Sequence, residues 1–195
     1  MRMAQSAPRP PLSDGVVTLR PWGEAGDVEA LVAACHARAI AEFLDLIPSP
    51  YTATDARAYV ALTQQGWRGG TSANFAIVAD GRAVGSIGVR WLEGLDDGVA
   101  EVGYWVARDA RGNGLCTRAL RLVSRWALEE RGVERLQLRA DVANIASNKV
   151  AENAGFTREG VLRSSRYNAR LARRVDFVMY SLLPHELHDT AAREL

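Results

Sequence analysis

The chain contains a single lysine, Lys149, although Lys and Arg together number 24. That scarcity excludes a P-loop, whose Gly-Lys-Ser/Thr would set a lysine on nucleotide phosphates. Cysteine is scarce too: Cys35 and Cys116 give no disulfide framework and suit a reducing, cytoplasmic setting. No run of about 18 apolar residues occurs, so no membrane-spanning helix is expected. His36, His185 and His188 show no ligand spacing, so no metal site is expected. An excess of charge of one sign is missing as well, and a net +1 gives no bulk attraction to nucleic acid or to a membrane.

What remains fits one domain. A chain of 195 residues can bury about 70% of the surface it exposes when unfolded. Residues 1–14, with Pro8, Pro10 and Pro11 and no apolar core to the segment, read as a flexible leader. Residues 15–184 form the domain and residues 185–195 a tail. Apolar patterning gives strands at Val16–Arg20, Phe75–Val78, Ala83–Trp91, Val99–Val106, Arg135–Ala140, Phe156–Arg163 and Arg174–Leu182. Asp80-Gly81 marks a hairpin turn. Gly103 inside its strand predicts a bulge. Helical periodicity covers Asp27 to about Phe43, and a second helix, capped at Thr52 with Asp55 or at Thr54, runs to Trp67.

One stretch organises the rest. Strand Val99–Val106 leads into a polar turn with Arg111, Gly112, Asn113 and Gly114, and a helical stripe follows at Leu115, Ala119, Leu122, Val123 and Trp126. The first amides of a helix lack internal partners, and the helix dipole favours negative charge there. Glycines let a phosphate come close to such amides. Arg108, Arg111, Arg118 and Arg121 add positive charge. A dinucleotide fingerprint would need a third glycine where Thr117 stands. Taken alone, the two glycines fit an ordinary tight turn equally well.

A second stretch decides between those readings. Asn144-Ile-Ala-Ser-Asn148 runs on through Glu152 to Gly155 and Phe156 as a short helix after strand Arg135–Ala140. With Arg111-Gly-Asn-Gly-Leu-Cys116 one βα unit earlier, the pattern resembles the GNAT superfamily of N-acetyltransferases. Glu159-Gly-Val-Leu-Arg163, and Asp176 followed by Tyr180-Ser-Leu-Leu183, resemble its RimJ/RimL branch. The resemblance covers roughly residues 16 to 184. It implies an α/β (α+β) fold, with a mixed, mostly antiparallel central sheet of about seven strands and helices on both faces.

The resemblance also implies a chemistry. Acetyl-CoA would be the co-substrate, with no metal, and a primary amine would attack its thioester directly in a ternary complex. The acceptor would be the α-amine of a protein or peptide N-terminus. A small amine such as a polyamine or aminoglycoside is the alternative, and a CoA-binding module without turnover is the alternative class. A homodimer is compatible with the resemblance. The pyrophosphate would lie on Arg111, Gly112, Asn113, Gly114, Leu115, Cys116 and Thr117, and the pantetheine arm beside Trp105 and Val106. The Val106 amide would meet the thioester oxygen. Asn144 and Asn148 would hold the pantetheine amides, although Asn144 could equally cap its helix.

Glu101 is the candidate base, since a two-residue period puts it on one face with Gly103 and Trp105; a surface carboxylate is the alternative. The tyrosine acid of many relatives is replaced by Ala151, and the RimJ/RimL pattern points instead to Ser147, which could also be only a helix cap. Cys116 departs from the Gly or Ala of the family loop, unless it simply packs inward. Glu93, Asp96 and Asp97 could draw in a cationic amine, and Arg163, Arg166, Arg170, Arg173 and Arg174, expected between the last strands, could bind an acidic protein or RNA surface. Solvated loops explain both groups as well.

Overall fold

Asp80 and Gly81 turn the chain with φ of 49° and 72°. Two positive φ values in succession are what a two-residue hairpin turn needs. They join β3 (Ser72–Ala79) to β4 (Arg82–Trp91). The computed structural model describes residues 7, 11–35, 48, 50–92, 98–169 and 171–187. Before the hairpin come β1 (Leu12–Ser13), β2 (Thr18–Pro21), α1 (Asp27–Cys35) and α2 (Ala53–Gly69). After it come β5 (Val99–Val106), α3 (Leu115–Arg125), β6 (Arg135–Asp141), α4 (Ile145–Asn153), β7 (Thr157–Asn168) and β8 (Arg173–Leu182).

The eight strands form one sheet in the order β1-β2-β3-β4-β5-β6-β8-β7. Only β5 and β6 run parallel among these pairs. The strand beyond the expected seven is β1, which lies inside the expected leader and pairs Leu12 with Leu19. Strand β2 starts later than Val16, because Asp14 Oδ1 accepts from the amides of Val16 and Val17 at 3.0 and 2.8 Å and turns the chain there.

Both helix ends of α2 follow the sequence signals. Thr52 and Asp55 form a reciprocal capping box, and Gly70 closes the helix at φ 66°. The expected continuation of α1 to Phe43 lies outside the described residues, as do Glu93, Asp96, Asp97 and Arg170. The last two strands are longer than expected. Arg163 and Arg166 therefore sit on β7, and Arg173 and Arg174 on β8, rather than between the strands.

Helices cover both faces. On one, Leu31 and Cys35 of α1 and Ala56 of α2 pack with Trp22 and Ala76. On the other, Ala119, Leu120 and Val123 of α3 and Ala151 of α4 pack on Phe75, Ile77, Ala100, Val102 and Leu138. A widened π turn, Trp126–Glu130, ends α3. It sets Trp126 among Phe75, Trp67 and Trp91, with ring centroids 5.3, 6.0 and 6.4 Å away. Burial on this scale, about 25 cal/mol per Å² of apolar surface, is what holds sheet and helices together.

The expected bulge at Gly103 is not formed: β4 and β5 stay in register from Gly85↔Val106 to Trp91↔Ala100. The irregularity lies elsewhere. Strands β5 and β6 pair only at Val99↔Arg135, Ala100↔Leu136 and Glu101↔Gln137. Beyond that point β5 follows β4, β6 follows β8, and the sheet forks.

Candidate active site

The fork and the start of α3 share one end of the sheet. Ala107 N donates to Val84 O at 2.8 Å. Amides alternate in direction along a strand. The N–H groups of Tyr104 and Val106 therefore point away from β4, into the fork. Splaying thus leaves these amides without a partner strand.

Between β5 and α3 the chain makes a short 3₁₀ turn, Arg108–Ala110, and then the glycine loop. Gly112 and Gly114 stand at φ 83° and 71°, which L side chains rarely adopt. Gly114 is the N-cap of α3, and no side chain caps the helix. The first internal bond there is Arg118 N to Gly114 O, so the amides of Leu115, Cys116 and Thr117 remain as helix-end donors. Arg111, Gly112, Asn113 and Gly114 are all exposed. Arg111 donates from Nε to Val106 O at 3.4 Å, which ties the loop to the end of β5. Arg118 is paired with Asp14 at 2.9 Å and Arg121 donates to Asn153 O at 2.7 Å, so part of the expected positive ring serves the fold. Cys116 turns inward, and burial pushes its thiol up to about 12.

Helix α4 stands over the fork on the α3 side. Asn144 caps it by accepting from Ser147 N at 3.0 Å. Ser147 is therefore not the cap. Its hydroxyl lies 3.2 Å from Tyr104 Oη, and Tyr104 also donates to Ser147 O at 3.1 Å. Burial, more than any other cause, raises the Tyr104 pKa and keeps the phenol protonated. Ala151, one turn further on, is fully buried in the core between α4 and the sheet.

Asn148, expected beside the pantetheine, makes three hydrogen bonds within the fold. Its amide donates to Asp141 O at 3.0 Å and Asn144 O at 2.8 Å, and its oxygen accepts from Tyr180 Oη at 3.0 Å. These contacts fasten α4 to β6 and β8.

Glu101 shares the α1 and α2 face with Trp105, which packs on Ala34 and Ala107. Tyr104 packs on the other face. The two catalytic candidates, Glu101 and Ser147, therefore belong to opposite faces of the sheet. Arg139 grips Glu101 by two bonds, 2.7 Å from Nε to Oε2 and 3.1 Å from Nη2 to Oε1, and Arg90 Nη2 reaches Oε1 at 3.1 Å. Neither arginine is marked in the sequence as a partner of Glu101. A period-two reading of β4 and β6 would have aligned them with it.

The forked sheet and the glycine-capped, open start of α3 thus lie at one end of the fold. The family model described as Acetyltransferase (GNAT) domain matches residues 17–157, well over half of the chain, and the chain belongs to that family. Among curated relatives, YdaF of Bacillus subtilis (strain 168), whose name gives it provisionally as a ribosomal N-acetyltransferase, is 36% identical over 110 residues, 56% of this chain and 58% of that protein. The ribosomal-protein-serine acetyltransferase of Escherichia coli (strain K12) is 29% identical over 93 residues, 48% of this chain and 51% of that protein. The chain thus spans little more than half the length of the curated relatives it matches. Among solved structures, RimL, a ribosomal L7/L12 alpha-N-protein acetyltransferase in complex with coenzyme A, superimposes with a TM-score of 0.78 at 22% identity, covering 89% of this chain and 96% of that one. At that identity the likeness is one of fold.

Proposed function

We propose that the chain transfers an acetyl group from acetyl-CoA to the α-amine of a protein or peptide N-terminus, by direct attack in a ternary complex, in the cytoplasm. The observation that carries this reading is the open N-terminus of α3 at Gly112–Gly114 beside the fork. The amides of Leu115, Cys116 and Thr117, with Gly112, Asn113 and exposed Arg111, would take the pyrophosphate. The pantetheine arm would lie in the fork beside Trp105 and Val106, with the free side of Asn144 near it. The Val106 amide would bond the thioester oxygen as negative charge grows there.

Placement supplies most of the rate in such a scheme, up to about 7–11 kcal/mol for well-oriented reactants. An α-amine, with a pKa of about 7.7–8.0, is partly neutral at physiological pH, whereas a lysine amine at about 10.4 is not. That favours the α-amine here, because both oxygens of Glu101 already accept from arginines. The amine's proton would leave to water. Ser147 would hydrogen-bond the departing sulfur, oriented by Tyr104. The relatives named for ribosomal-protein acetylation support a protein acceptor.

The test is thiol release from acetyl-CoA with four acceptors: a peptide with a free α-amine, the same peptide blocked at the N-terminus but carrying a lysine, spermidine, and an aminoglycoside. Release with the first alone is expected. Faster release with a small amine makes that the acceptor class. Coenzyme A binding without release from any acceptor makes the protein a binding module.

A further inference from the structure

We propose that Glu101 is a positioning residue, a clasp between the two arms of the fork, and that it acts through Arg139 rather than as a base. The inference rests on the proposed site in the fork.

Glu101 is the last residue of β5 that pairs with β6, opposite Gln137. Arg139 lies two residues further along β6, on the same face and already on the diverging arm. Its guanidinium reaches back to the branch point and grips the carboxylate by two bonds. On the other side Arg90 of β4 stands directly opposite Glu101 and takes Oε1. One carboxylate therefore links β4, β5 and the departing β6. Its side chain is 16% exposed, against 41% for Arg139 and 61% for Arg90, so it is the shielded centre of a solvated network.

Geometry gives the carboxylate its importance. Two guanidiniums converge on the branch point, and among the described residues Glu101 is the carboxylate that pairs with both. Neutralising it leaves like charges facing each other. The cheapest relief is for β6, which no longer pairs with β5 beyond Gln137, to swing away from it together with β8. The fork would then widen and the exposed amides of Tyr104 and Val106 would lose their setting. A base role is also hard to reconcile with the contacts, since an amine or water would have to displace a guanidinium from each oxygen.

The test is a double-mutant cycle on the full chain with Glu101→Gln, Arg139→Gln and the pair combined. It is read by coenzyme A affinity in calorimetry and by hydrogen exchange of the amides in residues 102–106 and 138–141. Each single variant is expected to lose affinity about tenfold, the size of coupling seen within one charged network. Exchange at the fork should be faster in each. The double variant should be no worse than the worse single, because the pair acts as a unit. If Glu101→Gln keeps affinity and exchange but loses turnover, while Arg139→Gln keeps all three, Glu101 is a base and the clasp is overturned. Additive losses in the double variant overturn it too. The exchange measurement needs no ligand, and affinity needs no turnover. A wild-type chain that binds coenzyme A without transferring acetyl would therefore sink the proposed activity and leave the clasp to be judged on its own.

Discussion

Tyr104 of β5 and Ser147 of α4 join hydroxyl to hydroxyl at 3.2 Å, and the same phenol donates to the Ser147 carbonyl. Strand and helix are thereby fixed across the fork on the face opposite Glu101. Because Asn144 provides the cap, removing the Ser147 side chain leaves the helix end intact. Ser147→Ala should cost no more than about 1 kcal/mol of stability. Turnover at saturating substrates should fall about 100-fold, as for loss of one donor to a developing charge. Tyr104→Phe, which keeps the ring but strips a donor from the carbonyl, should slow turnover less. Steady-state rates beside melting curves decide it: normal turnover in Ser147→Ala removes the residue from the chemistry.

Gly114→Val probes the open helix end. A Cβ at position 114 meets no atom within 4 Å, so the penalty is the backbone's alone at φ 71°. That costs about 1–2 kcal/mol. Coenzyme A affinity should drop by at least about tenfold, because the side chain stands where the phosphate must approach. Calorimetry giving wild-type affinity in a folded variant would move the phosphate elsewhere.

Asn148→Ala should act on stability first. The substitution removes both donations to Asp141 O and Asn144 O and leaves the buried Tyr180 hydroxyl without its Asn148 acceptor. A loss of about 2–3 kcal/mol is expected in urea unfolding. The folded fraction should keep coenzyme A affinity within about twofold. An unchanged midpoint with weakened binding would return Asn148 to the pantetheine.

How far was this visible in the sequence? Apolar patterning and local turn or cap signals, such as Asp80-Gly81 and Thr52 with Asp55, placed β3 to β6, α2 and α3 correctly, because those signals lie within or beside each element. The glycine loop was legible for the same local reason. What failed was pairing at a distance. Gly103 suggested a local bulge, but the break in the sheet is a parting of β5 from β6, set by partners far away in sequence. Glu101 looked like a free carboxylate until Arg90 and Arg139 came beside it from other strands. Ser147 and Asn144 were both possible caps in the sequence, and the fold gives the cap to Asn144.

Low pH offers a check on the β6–β8–β7 arm. Arg135 grips Glu159 through two bonds of 2.7 and 2.6 Å, and Ser181 adds a third at 2.7 Å. These contacts, Arg135 first, hold the Glu159 carboxyl down to about 2 from an ordinary value of 4.5. A depressed folded-state value contributes stability above pH 4.5 that is lost as the pH falls toward 2. Half-exposed as the pair is, screening limits this to less than about 1 kcal/mol. Glu159→Gln should therefore flatten the acid limb of the stability curve in that window and leave the difference largest near neutrality. Parallel curves for the two proteins would show that the bridge contributes nothing.

The fork also has a mechanical consequence. A sheet resists tension across its strands through its ladders, and here β1–β5 meet β6–β8 through three residue pairs only. The N-terminal strands belong to one half and the C-terminal strands to the other. A load applied between the chain ends would concentrate on that short seam and unzip it from its open end, rather than shear all eight strands at once. In a single-molecule pulling experiment the protein should yield in two steps at modest force: first the seam, then the halves.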